Sequence, residues 1–161
     1  MDIVYRKISD IHPYEKNPRK NQSTAEALAE SIKEFGFKNP IIVDENGVII
    51  CGHARFKAAQ LLNMDEVPTI TASGLTKAQI KAFRLADNKT SELAEWDAEK
   101  LAMEFKELNA ENYSLEFTGF NEFEQVIYAD DTTPDEPDKQ AYKSYEADAE
   151  NQLRSFAVAI I

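Results

Sequence analysis

The chain has 161 residues, 43% of them hydrophobic, which suits one buried core with a small appended module and sets it apart from disordered chains. One cysteine, Cys51, excludes an internal disulfide and a CxxC redox or zinc pair, and two histidines, His12 and His53, are too few for a protein-built transition-metal site. The net charge of −11 is unevenly spread: residues 1–90 carry 13 Lys/Arg against 11 Asp/Glu and residues 91–161 carry 5 against 18, so only the near-neutral first part suits a phosphate site.

Ile3 to Ile8 reads as a short strand, followed by a loop with two prolines. Ser23 and Glu26 form a capping box for a helix whose apolar stripe is Ala25, Leu28, Ala29, Ile32 and Phe35, with Gly36 as its stop. Ile41–Val43 and Val48–Ile50 are β-branched runs around Asn46-Gly47, a dipeptide that fits a type I′ hairpin turn. A helix from His53 to about Asn63 comes next, then a strand from Val67 to Thr71 whose Pro68 points to a sheet edge or a strand start.

The remainder reads as helical. Thr76 with Gln79 and Asn121 with Glu124 form capping boxes, and Asp97 is an N-cap whose preceding Trp96 is placed to pack on Leu101. A stacking platform for bases at Trp96 is disfavoured by the surrounding Glu92, Glu95, Asp97 and Glu99. Residues 129–139 read as an acidic linker, and Gln152 to Ile161 as a strand that would need pairing. That unpaired strand leads to the expectation of either a longer protein or pairing in a homo-oligomer. The start has no charged lead into an apolar run, and no uncharged apolar stretch reaches membrane-spanning length. The expectation is a cytoplasmic protein with no membrane partner.

The junction at residues 49–61 carries the chemistry. An apolar strand passes through Gly52 into a helix whose first turns hold Arg55 and Lys57. Unpaired N–H groups and the positive end of the dipole at a helix N-terminus favour an anion, and a guanidinium matches phosphate oxygens.

Residues 1 to about 95 resemble the ParB/sulfiredoxin superfamily through four boxes in order. Asn17-Pro18-Arg19 is similar to the early Asn-Pro-Arg box, and Leu28–Val43 to the helix, glycine and proline-led strand that follow it. Gly52-His53-Ala54-Arg55-Phe56-Lys57-Ala58-Ala59 is similar to the Gly-Glu-Arg-Arg box, and Ala86-Asp87-Asn88 to the Glu-Asn box. The resemblance implies an α+β (α/β) domain with a small mixed sheet and helices, followed by a helical acidic extension. The divisions expected are 1–95 for the nucleotide- or phosphate-binding domain, 96–128 for the extension and 129–161 for the linker and strand. It also implies a phosphate cradle at Gly52, His53, Ala54, Arg55 and Lys57 with Arg19 and Asn17 assisting. Asp87 and Asn88 would face Mg²⁺ beside a nucleoside triphosphate, CTP or ATP.

Departures narrow the reading. His53 and Ala54 replace the box's glutamate and first arginine, and Ser91 stands where ParB proteins carry an arginine, all of which speaks against a CTP-switched clamp. The acidic stretch that follows is a poor site for a helix-turn-helix, so DNA contact is expected to be weak or indirect. Sulfiredoxin chemistry would need a cysteine directly after the glycine, where His53 stands; Cys51 precedes it and reads as structural. At a helix N-terminus, the ring of His53 is expected to be neutral.

Leu75–Trp96 with Thr118-Gly119-Phe120 resembles ParB-like domains of phages and mobile elements, which are often fused to or encoded beside DNA methyltransferases and commonly carry Gly-His-x-Arg. The implied function is a nucleotide-binding module in DNA modification or partition, partnered with a methyltransferase or another protein. The alternative is a metal-dependent nuclease or a nucleotide hydrolase or kinase, for which no catalytic residue can be assigned. No methyltransferase motif occurs in the chain.

Overall fold

In the computed structural model, residues 2–19 and 22–129 are described. Their elements are β1 (Ile3–Lys7), a 3-10 turn (Ile8–Asp10), α1 (Gln22–Phe35), β2 (Ile41–Val43), β3 (Ile49–Cys51), α2 (His53–Leu61), β4 (Glu66–Thr71), α3 (Lys77–Thr90), α4 (Ala98–Ala110), a second 3-10 turn (Leu115–Thr118) and α5 (Glu122–Ala129). The four strands form one mixed sheet in the order β1-β4-β2-β3, with β4 parallel to β2 and the other pairs antiparallel. This is the expected α+β arrangement.

Several local expectations are corrected. Strand β4 is interior, although Pro68 argued for an edge or a start. Ala72 N–H donates to the Val43 carbonyl, so by the alternation of strand geometry position 68 also faces β2. Pairing with β2 begins only at Thr69, opposite Ile41, and the missing donor therefore falls one residue ahead of the ladder. The hairpin turn is not type I′, because Asn46 does not have positive φ whereas Gly47 does, at 77°. Asp44 holds this turn: its carbonyl accepts from Gly47 N–H at 3.0 Å and its carboxylate accepts from Asn46 and Val48 N–H at 2.9 and 3.0 Å. A side chain at Gly47 would meet the Asp10 carbonyl, which fixes glycine there.

Helix α1 begins at Gln22, so Ser23 lies inside it and is not its cap. Only Ala25 and Ala29 of its stripe are buried, and α1 packs along α2. Trp96 is 67% exposed, and its ring lies 5.2 Å from that of Phe120. The capping boxes at Thr76 and Asn121 and the cap at Asp97 form as read.

The main core gathers Ile11, Ile41, Val43, Ile49, Phe56, Ala59 and Val67 between sheet and helices. Each such large apolar side chain taken from water contributes about 1.5–3 kcal/mol. A second, smaller core of Leu101, Phe105 and Leu115 holds the extension together, with Phe105 edge-on to Phe120 at 5.1 Å. The acidic linker and the apolar run at 152–161 lie outside the described residues. No helix among the described residues is long and apolar enough to cross a membrane.

Candidate functional site

The strand β3 is buried throughout, and its last residue hands the chain to Gly52, whose φ of 103° and ψ of 27° turn it sharply into α2. This left-handed geometry is the reason for glycine. The first helical bond runs from Phe56 N–H to the Gly52 carbonyl at 2.9 Å. The N–H groups of His53, Ala54 and Arg55 precede it, and no side chain of Gly52 caps them.

Over this turn lies the Arg55 guanidinium, close enough that a Cβ on Gly52 would come within 3.0 Å of its Nη2. Nη2 donates to the Pro40 carbonyl at 3.4 Å, whereas the buried Nε has no partner. A buried, unpaired donor on a cation beside free helical N–H groups is the arrangement an anion completes.

The turn forms one wall of an open cleft of about 580 Å³. Thr24 and Leu28 of α1, Asp87 and Asn88 of α3 and its C-cap residue Ser91 line the rest, together with Arg19. Of the residues singled out in the sequence, Gly52, His53, Ala54, Arg55, Arg19, Asp87 and Asn88 thus come together. Asn17 and Lys57 line an adjoining groove that shares Arg19 and His53 with the cleft. Arg19 reaches across to α3, donating to Ser91 Oγ at 3.4 Å and pairing with Glu92 at 3.0 Å. Ser91, a departure from the ParB pattern, is therefore a cleft residue.

Two features were not foreseen, a buried arginine and a backbone contact to His53. Arg84 is 8% exposed: its Nε donates to the Ile49 carbonyl at 2.9 Å, its Nη2 lies 4.0 Å from Asp44, and its guanidinium sits 4.0 Å over the Tyr14 ring. Tyr14 N–H in turn donates to His53 Nε2 at 3.1 Å. A signal for Arg84 exists in the sequence, since positions 84, 87, 88 and 91 recur at the i, i+3, i+4, i+7 spacing of one helix face.

Burial, then Arg84 and Lys57, hold the His53 imidazole below its usual range, which keeps the ring neutral as expected. Cys51 is buried, and burial followed by the facing Asp87 carboxylate pushes its thiol up to about 12. It is an inert thiol, not a nucleophile.

For a divalent ion, the cleft offers the Asp87 carboxylate. Asn88 donates through Nδ2 to the Arg84 carbonyl at 2.9 Å, leaving Oδ1 as an acceptor. Among the described residues no three His, Cys, Asp or Glu side chains converge. This donor set fits an ion such as Mg²⁺ that takes its remaining ligands from phosphate and water.

Residues 2–89 match the family model of the ParB N-terminal domain. The chain is 49% identical over 80 residues, 49% of its length and 92% of the relative's, to the ParB-like nuclease domain-containing protein YnaK of Escherichia coli. It is 33% identical over 118 residues, 70% of its length and 39% of the relative's, to the probable chromosome-partitioning protein ParB of Helicobacter pylori. The chain thus spans most of the first relative and well under half of the second. Among solved structures, C-terminally truncated ParB of Caulobacter crescentus complexed with CTP-gamma-S shares the fold with a TM-score of 0.66 at 20% identity, covering 99% of this chain and 94% of that one. The chain belongs to the ParB N-terminal domain family and has the fold of ParB.

Proposed function

We propose that this chain is a ParB-like module that binds the phosphates of a nucleotide, CTP or ATP with Mg²⁺, and acts in DNA modification or partition beside a partner such as a DNA methyltransferase. The observation that carries the reading is the uncapped start of α2 at Gly52, with the unpaired buried Nε of Arg55 folded over it. Free N–H groups of residues 53–55 and the guanidinium receive phosphate oxygens, Arg19 assists, and Asp87 with Asn88 Oδ1 takes the ion. The nucleotide in the Caulobacter relative supports the choice of ligand, and the Gly-His-x-Arg sequence supports the phage-type partner. In this proposal residues 1–95 are the binding domain and 96–128 an extension with its own core.

Calorimetric titration of CTP, ATP and ADP with Mg²⁺ tests it. The wild type binds at least one of them, and Arg55→Ala weakens that binding about tenfold or more, a loss of about 1.4 kcal/mol from a charge-assisted contact. Absence of binding by the wild type to all three overturns it.

A second reading, metal-dependent phosphodiester cleavage or nucleotide hydrolysis, has in its favour the nuclease-domain wording of the Escherichia coli relative's name. Plasmid incubated with Mg²⁺ or Mn²⁺ tests it. Intact plasmid opposes cleavage, and cutting that persists in Asp87→Ala removes Asp87 as the metal ligand.

A further inference from the structure

We infer that His53 stands in the cleft as a fixed neutral hydrogen-bond donor, its Nδ1–H serving a ligand phosphate oxygen, with Tyr14 and Arg84 setting the tautomer. The ligand half of this statement rests on the phosphate-binding reading above; the tautomer does not.

A backbone N–H only donates. Tyr14 N–H lies 3.1 Å from His53 Nε2, so that nitrogen carries the lone pair and the ring proton belongs on Nδ1. This is the reverse of the tautomer that predominates for histidine in water, so it must be imposed by the fold. The imposing contact is anchored. Tyr14 is pinned by its ring under Arg84, and Arg84 is itself buried and tied to the Ile49 carbonyl of the strand that leads into Gly52. The donor and the phosphate turn are thereby referred to one strand.

The ring's surroundings keep it neutral. Lys57 and Arg55 from α2, and Arg19 and Glu15 from the preceding loop, stand around the cleft and groove that His53 lines, with Asp87 on the facing wall, and the buried Arg84 of α3 acts on the ring from behind Tyr14. Cations prevail, and burial acts in the same direction. With Nε2 occupied, His53 has no free basic nitrogen for proton abstraction. What it offers is one directed N–H, next to the free backbone N–H groups of α2.

Two measurements test this. In protein labelled with ¹⁵N-histidine at pH 7, with His12→Gln used to assign the two rings, long-range ¹⁵N–¹H spectra should show Nδ1 protonated and Nε2 bare in the unliganded state. Arg84→Met and Tyr14→Leu, which slacken the anchor, should each move the ring toward the Nε2–H form. For the donor role, His53→Asn keeps an amide near the Nδ1 position and His53→Gln places it near Nε2. With CTP and Mg²⁺ as the probe, the Asn variant should bind within about twofold of wild type and the Gln variant about tenfold more weakly. A proton on Nε2 in the wild type, or equal affinities for the two variants, overturns the inference while leaving the phosphate reading standing. A wild type that binds no nucleotide overturns the phosphate reading and the ligand role together, and the spectrum then judges the tautomer alone.

Discussion

At the scale of single residues the cleft depends on side chains and on one missing side chain. Gly52→Ala would place a methyl group within 3.0 Å of the Arg55 guanidinium at a φ of 103°. The left-handed backbone alone costs about 1–2 kcal/mol, so a lowered melting temperature is expected, and nucleotide affinity should fall as the guanidinium is displaced. Unchanged affinity by calorimetry would show that Arg55 does not need its present position. Cys51 gives a prediction in pH. Its thiol is raised in the folded state, so its stabilising contribution is complete below the ordinary thiol pKa and is lost as pH climbs through that range toward about 12. Denaturant titrations should show Cys51→Ala losing less stability than wild type between pH 8.5 and pH 10.5, by about 1 kcal/mol or more. Parallel curves would dismiss the linkage.

At the scale of elements, local signals were legible and non-local ones were not. The box at Thr76 and Gln79 needs only four consecutive residues, and it forms with Gln79 N–H donating to Thr76 Oγ1 at 3.3 Å. Ser23 and Glu26 show the same spacing, yet the helix starts one residue before Ser23 and the signal is void. The contrast is measurable: Thr76→Ala should cost about 1 kcal/mol in urea unfolding, and Ser23→Ala should stay within about 0.5 kcal/mol of wild type. Strand order lay beyond such signals, because Pro68 constrains one edge of its own backbone but not which strand stands beside it. Arg84 was passed over for a related reason. A lone arginine on a helix reads as solvated, and only the fold reveals that Ile49 and Tyr14 meet it from two other segments. The Gly52 turn was readable because strand, glycine and helix are contiguous, whereas Asp87 and Asn88 on the facing wall were legible only through the resemblance to the Glu-Asn box.

At the scale of the whole molecule, charge is divided between the two parts. Residues 1–90 have 13 Lys/Arg against 11 Asp/Glu, whereas the extension and tail are strongly acidic. Any DNA held by this chain should therefore be held through phosphates, and retention on immobilised DNA at low salt should fall steeply between 50 and 200 mM salt. Retention that hardly changes would point to base contacts.

One helix belongs to both parts. Along α1, Thr24 and Leu28 line the cleft. On the same helix Glu34 accepts from the Tyr113 hydroxyl at 2.7 Å, and Ala27 lies against Gly119, both partners being in the extension. A ligand that pulls on α1 and an extension that leans on it are then thermodynamic correspondents, and each must register the other by the same factor. Phe105→Ala removes the ring at the centre of the second core, a change that typically costs about 3–5 kcal/mol, and so loosens the extension without touching the cleft. The factor by which nucleotide slows hydrogen exchange in α4 should set the upper limit on the factor by which that variant weakens nucleotide binding. In this sense α1 is a balance beam, and the acidic extension is a weight on one of its arms.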